Sequence, residues 1–182
     1  MPTVKEVLND TKKRLKEQGI DTFSLDSSLL VSEVTGLTKI QLVTHDRDEV
    51  TEEQLDRLEN LVEERLKNKP MQYILGHCEF MGLDFKVTEN TLIPRGDTEN
   101  IVEEVIATIE NSGYNTVLDM CTGTGAIAIS VAHYTKAKVT ASDISKKALE
   151  VARENAQNLN ADVNFIESDL FENINEKFDV IV

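Results

Sequence analysis

Two hydrophobic rhythms divide the chain. Up to about residue 76, apolar side chains recur at helical spacing. Val4, Val7, Leu8 and Leu15 form one stripe, Leu29, Leu30 and Val34 a second, and Leu55, Leu58, Val62 and Leu66 a third. Polar starts and stops frame these stripes. Thr3 and Glu6 precede the first, and Thr51 and Gln54 the last, at the spacing of a capping box. Ser24 or Asp26 offers a cap for the second helix, and Gly36 ends it. Thr38 opens a short helix with Ile40, Leu42 and Val43, and Pro70 stops the last stripe and begins a turn ending at Gly76. The pattern predicts a small helical bundle over residues 1–76, with stripes that are packing faces and no catalytic group.

From residue 77 the period shortens. Phe80, Met81, Phe85 and Val87 flank Gly82-Leu83, which predicts a β-hairpin, assigned to 77–94 as a linker between two domains. Leu92-Ile93-Pro94-Arg95 then leads into a helix capped near Asp97 or Thr98, lined by Ile101, Val102, Val105, Ile106 and Ile109 and ended by Gly113. After Thr116, short apolar runs alternate with helices. The runs are Val117 to Met120, Lys138 to Ser142, Val163 to Ile166 and Phe178 to Val182; Ser145 caps a helix through Ala148, Leu149, Ala152 and Ala156. Such alternation predicts an α/β fold, a Rossmann-like parallel sheet with right-handed crossovers over residues 95–182. The last run would leave a sheet edge uncovered, so the chain is expected to be a piece of a longer protein, with its sheet incomplete.

The chemistry concentrates in Thr116 to Val131, where a strand, a tight turn and an apolar helix follow in order. Cys121, Thr122, Gly123, Thr124 and Gly125 form the turn, and Gly123-x-Gly125-x-x-Ala128 fits the dinucleotide pattern. Glycines there admit turn dihedrals and close approach of a ligand to the backbone, and the helix that follows directs free amides at it. Asp143 ends the second strand about 20 residues beyond the loop, where a carboxylate accepts from ribose hydroxyls; since Ser145 can cap the next helix, the ribose role is preferred. Asp169 ends the third strand and could accept from an exocyclic amine, with Leu170 against an adenine; a plain helix-start acid is nearly as good a reading of Asp169. Asp119, beside the turn, would repel a pyrophosphate but suit a cofactor bearing an ammonium and a sulfonium. This favours S-adenosylmethionine over NAD. His45, His77 and His133 have no nucleophile partner at a recognisable spacing and read as structural or surface groups, and Arg95 either reaches the cofactor or forms a surface ion pair.

Composition narrows the class. The 182 residues are 40% apolar and 29% charged, and no apolar run reaches the ~20 residues of a membrane span. The first residues lack the apolar core of a signal peptide, so a cytoplasmic protein is expected. Cys78 and Cys121 are the only cysteines, in no metal-ligand spacing, so neither a disulfide framework nor a metal site is expected. A net charge of −14 argues against broad nucleic-acid binding.

VLDMCTGTGAIAIS, ASDIS followed by KALEVARENAQ, and ESDLF resemble the cofactor motifs of class I S-adenosylmethionine-dependent methyltransferases. With the helical bundle, the Pro70-Met71-Gln72-Tyr73-Ile74-Leu75-Gly76 turn, and Leu92-Ile93-Pro94-Arg95 with Thr98-Glu99, the whole chain resembles the peptide-chain release factor glutamine methyltransferases. The resemblance implies N5-methylation of the glutamine side-chain amide in the Gly-Gly-Gln loop of release factors. It implies a bundle that recognises those protein partners, while the composition and charge above lead to the expectation of no membrane partner and no direct nucleic-acid binding. It places the cofactor loop on Cys121 to Gly125, the ribose carboxylate on Asp143 and the adenine side on Asp169 and Leu170. Cys121 stands where the family usually has glycine, and Gly96-Asp97 where it has proline and glutamate. The family's Asn-Pro-Pro-Tyr motif, which holds the acceptor amide, is expected just after Val182, so the catalytic residues are not assigned and the chain as written is expected to be inactive. The alternatives are an adenine-N6 or other amino-group methyltransferase, an NAD-binding oxidoreductase, and a non-catalytic binding module.

Overall fold

The computed structural model describes all 182 residues and divides them into two units, Met1–Leu75 and Gly76–Val182. The first unit is helical: α1 (Val4–Glu17), α2 (Phe23–Thr35), the single turn α3 (Gln41–Thr44), α4 (Glu52–Leu66) and α5 (Met71–Leu75). Both capping boxes are formed, Thr3 with Glu6 and Thr51 with Gln54. Val4, Leu15, Leu30, Val31, Val50 and Val62 meet in one core. α2 starts earlier than the sequence suggests, after Thr22, and closes on Gly36 in the left-handed conformation. Asp26 therefore caps nothing. It lies in the first turn, buried, and accepts hydrogen bonds from Arg65 Nε at 2.8 Å and the Thr22 hydroxyl at 2.7 Å. On α3 only Leu42 turns inward; Ile40 and Val43 are exposed.

The second unit begins with a hairpin, β1 (His77–Phe80) paired to β2 (Leu83–Lys86). Met81 and Gly82 form its two-residue turn, both with positive φ (52° and 70°), the geometry that matches the twist of the strands. A methionine is strained there, and both its backbone groups are held: its N–H donates to Glu99 at 2.7 Å, and its carbonyl accepts from the Tyr134 hydroxyl at 2.7 Å. The hairpin expected to link two domains is thus built into the second unit. α6 (Gly96–Ser112) follows, starting after Arg95 rather than at Asp97 or Thr98.

A four-stranded parallel sheet completes the unit, from β3 (Thr116–Met120), β4 (Lys138–Asp143), β5 (Val163–Glu167) and β6 (Val180–Ile181), in the order β5-β4-β3-β6. α7 (Ala126–Tyr134) and α8 (Lys146–Asn158) are its connections. The expected fourth strand is shorter than its apolar run, although the Val182 amide still bonds to Leu118. The order reverses beside β3. β4 and β5 extend to one side and β6 lies on the other, and a crevice opens at the carboxyl ends of the strands at such a point. No helix is long and apolar enough to cross a membrane.

The Asp26–Arg65 pair dominates the polar interior of the bundle, with side chains 4% and 15% exposed. Arg65→Met should lower the stability of the bundle by about 3 kcal/mol, because it strands a buried carboxylate; adding Asp26→Leu should restore much of the loss. Urea unfolding of the whole chain followed by circular dichroism checks this, and an Arg65→Met variant as stable as the parent would contradict it.

Candidate cofactor site

The loop from Cys121 to Gly125 crosses the carboxyl end of β3 and hands the chain to α7. Three of its residues take the left-handed backbone: Cys121 (φ 62°), Gly123 (57°) and Gly125 (82°). Gly125 is the N-cap of α7 and has no side chain to hold the first turn. Asp119 supplies what is missing. From the end of β3, 2% exposed, its Oδ2 accepts from the Ala128 amide at 3.0 Å and from the Thr122 hydroxyl at 2.5 Å. It performs the work of a capping aspartate from a neighbouring strand. Burial pushes the carboxyl up to about 6, against the lowering effect of the Thr122 and Ala128 bonds, and the Asp143 charge pushes the same way.

Asp143 holds the loop from the other side. Its Oδ2 accepts from the Gly123 amide and its Oδ1 from the Ser145 amide, both at 2.9 Å. Ser145 itself caps α8 by accepting from the Ala148 amide. Asp143 is only half-buried, and each of its oxygens keeps a lone pair for a ligand. The Ser168 amide donates to the Asp143 carbonyl at 3.1 Å, which joins the ends of β4 and β5. Asp169 and Leu170 come next, both exposed, Leu170 with φ 46°. Ile144 follows Asp143 at the end of β4 and is 65% exposed, and Leu170, beyond the end of β5, is 54% exposed. The sequence carries no signal for Ile144, because an isoleucine after a strand-end acid is ordinary and its exposure is a property of the fold.

A cleft of about 300 Å³ opens over the loop, lined by Cys121, Thr122, Gly123, Thr124, Ala126 and Ile127 on one side and by Phe80, Leu92, Ile93, Pro94, Arg95 and Thr98 on the other. The predicted loop is thus one wall of it. Asp143, Asp169 and Leu170 do not line it; they sit further along the strand edge. The amides of Thr124, Ala126 and Ile127 have no partner in the protein and are free for a ligand. A Cβ added at Gly123 would meet no atom within 4 Å, so the space there is open. A Cβ at Gly125 would lie 2.7 Å from Ile129 Cδ1 and 3.2 Å from Ala152 Cβ. The first glycine leaves room for a ligand; the second is required for packing. Arg95 lines the cleft without an ion-pair partner, so the surface-pair reading of it fails. The three histidines have local partners instead, His45 with Thr44, His77 with Asp84 and His133 with Tyr134.

Asp119 lies beside the turn, as its place in the chain implies, but its carboxylate is engaged beneath the loop by Thr122 and Ala128, so it is not a free charge offered to a ligand. What suits a nucleoside-type methyl donor is instead the combination of free amides, the open space at Gly123, a half-buried carboxylate at the end of β4, and two exposed aliphatic side chains.

Residues 6–76 match the family described as PrmC N-terminal domain, and residues 100–182 match the methyltransferase small domain. The release factor glutamine methyltransferase of Clostridium acetobutylicum is 40% identical over 98% of this chain and 65% of its own length. The corresponding proteins of Moorella thermoacetica and Fusobacterium nucleatum are also 40% identical, over 86% and 97% of this chain and 56% and 51% of their own. The chain therefore spans between about half and two thirds of the length of these relatives. Among solved structures, the tRNA (uracil-54, C5)-methyltransferase of Pyrococcus abyssi, in complex with S-adenosyl-L-homocysteine, superposes with a TM-score of 0.50 at 27% identity, over 58% of this chain and 27% of that one.

The Asp119 carboxyl titrates near 6 in the folded chain against an ordinary 3.8, so the folded chain binds this proton more tightly. The group's contribution to stability falls as pH rises from about 4 to 6 and is level above. Asp119→Asn cannot titrate. Its stability relative to the parent should therefore rise by up to roughly 3 kcal/mol between pH 4 and pH 7, read by urea unfolding. A difference that does not change with pH would contradict the burial argument.

Proposed function

We propose that the protein, which is similar along nearly its whole length to release factor glutamine methyltransferases, transfers a methyl group from S-adenosylmethionine to the side-chain amide nitrogen of the glutamine in the Gly-Gly-Gln loop of peptide-chain release factors. The observation that carries this reading is the loop from Cys121 to Gly125, with unpartnered amides and with Asp143 bonded to its centre.

In this reading the donor's ribose hydroxyls hydrogen-bond to the free lone pairs of Asp143. Its adenine lies between Ile144 and Leu170, with Asp169 accepting from the exocyclic amine. Gly123 lets the backbone come close, and Arg95 offers a cation to the donor's carboxylate. Bound S-adenosylmethionine supplies the electrophilic methyl group. The acceptor is a poor nucleophile, because an amide lone pair is delocalised into its carbonyl. Most of the rate must therefore come from holding that nitrogen in line with the methyl group. The cleft wall from Phe80 to Thr98 faces the loop and is where the acceptor would enter. The helical unit is read as the module that recognises the release factor, and its match to the PrmC N-terminal domain supports this. A cytoplasmic location suits that partner and the two free cysteines.

Isothermal titration should show heat with S-adenosylmethionine and none with NADH. Ile144→Ala, at a 65% exposed position where the fold loses little, should weaken binding about tenfold. Mass spectrometry of a release factor incubated with the protein expressed from its full gene and S-adenosylmethionine should find one methyl group on the Gly-Gly-Gln glutamine. Heat with NADH alone, or methyl transfer to DNA or RNA but not to release factor, would overturn the reading.

A further inference from the structure

Asn155 lies on α8, 1% exposed, and touches neither the cleft nor the surface. Its side chain is nevertheless fully committed to two other parts of the unit. Oδ1 accepts from the Lys86 amide at 2.8 Å, and Nδ2 donates to the Lys86 carbonyl and to the Thr124 carbonyl, each at 3.0 Å. Both amide protons are used, and the orientation of the group follows. A flipped amide would set its oxygen against two carbonyl oxygens.

The two targets belong to the two walls of the cleft. Lys86 ends β2, whose partner strand β1 carries Phe80 into one wall. Thr124 belongs to the other wall and lies between Gly123 and Gly125 in sequence. The peptide joining Thr124 to Gly125 is held at both ends, its carbonyl by Asn155 and its N–H by the Thr122 carbonyl at 2.9 Å. No other donor reaches the Thr124 carbonyl. Flanked by two glycines in the left-handed region, this peptide has little intrinsic reason to stay in one orientation. The Lys86–Glu154 ion pair beside it, at 2.7 Å, is half-exposed and contributes little.

We propose that Asn155 is a positioning residue for the methyl-donor site: by gripping the Thr124 carbonyl and both backbone groups of Lys86 with one amide, it fixes the glycine loop and the hairpin wall at the separation the donor requires. The inference rests on the reading of this cleft as a donor site.

Asn155→Asp separates positioning from mere support. It keeps the shape and the acceptor for the Lys86 amide, but its second oxygen donates only when protonated and otherwise faces two carbonyls. Equilibrium dialysis of S-adenosylmethionine against the whole chain should show Asn155→Asp binding at least about tenfold more weakly than the parent at pH 8, with the deficit shrinking toward pH 6 and circular dichroism unchanged. The charged groups that face the clamp and the loop are Asp119, Asp143, Lys86 and Glu154; they are the same in both chains, so the ratio of affinities at each pH isolates the substituted group. Equal affinities at every pH would overturn the inference, as would a deficit that does not change with pH. A parent chain that binds no S-adenosylmethionine would overturn the donor-site reading itself, and the inference with it. Should the variant not fold, hydrogen exchange in the parent decides. Saturating S-adenosylmethionine should slow the Lys86 amide more than the amides of the helical unit, since clamp and ligand are thermodynamically linked. Equal slowing or none would overturn the proposal.

Discussion

Asp119 lies beneath the turn between β3 and α7, and one of its oxygens takes the Thr122 hydroxyl and the Ala128 amide together. Gly125, the residue that starts α7, has to be glycine because its φ is 82° and a Cβ there would strike Ile129. The helix therefore begins without a cap of its own, and a carboxylate borrowed from the strand end satisfies it. The arrangement places a charge where there is almost no water, and the raised pKa records the consequence. Everything on the ligand side depends on it. The third amide of α7 is bound to Asp119, while the first two, at Ala126 and Ile127, keep no partner in the protein, and both residues line the cleft.

The loop is held from three directions by three side chains on three elements. Asp119 braces it from β3, Asp143 from the end of β4, and Asn155 from α8. Each bond ends on a backbone group or a hydroxyl, in the loop or in the first turn of α7, and none uses a long side chain of the loop. Cys121 holds a left-handed position at φ 62° that glycine occupies without strain, and its thiol is exposed at the cleft.

Much of this was legible in the sequence. The capping boxes at Thr3 and Thr51 and the strand–turn–helix at Thr116 follow from spacing alone, because local hydrogen bonding and apolar period set them. Positions fixed by tertiary contacts were not. Asp26 read as a cap because acids cap helices, yet a partner 39 residues away in α4 buries it instead. Spacing puts Asp119 beside the turn, but nothing in a one-dimensional pattern says that its carboxylate bonds to Thr122 and Ala128 beneath the loop. Asn155 falls within the KALEVARENAQ stretch, but nothing in the stretch says what it holds, since an asparagine on a helix is ordinarily a surface residue and its three bonds reach 31 and 69 positions away. Ile144 was hidden by its ordinary place after an acid; only its exposure marks it.

A crystal structure of the chain with S-adenosyl-L-homocysteine tests the central claim most directly, that the loop and strand ends around Cys121 to Gly125 form the methyl-donor site. The account predicts ribose hydroxyls on Asp143, the adenine between Ile144 and Leu170, and the amino-acid end over Gly123 in the cleft beside Arg95. A ligand bound elsewhere, or one in this cleft that leaves Asp143 unbonded, would contradict it.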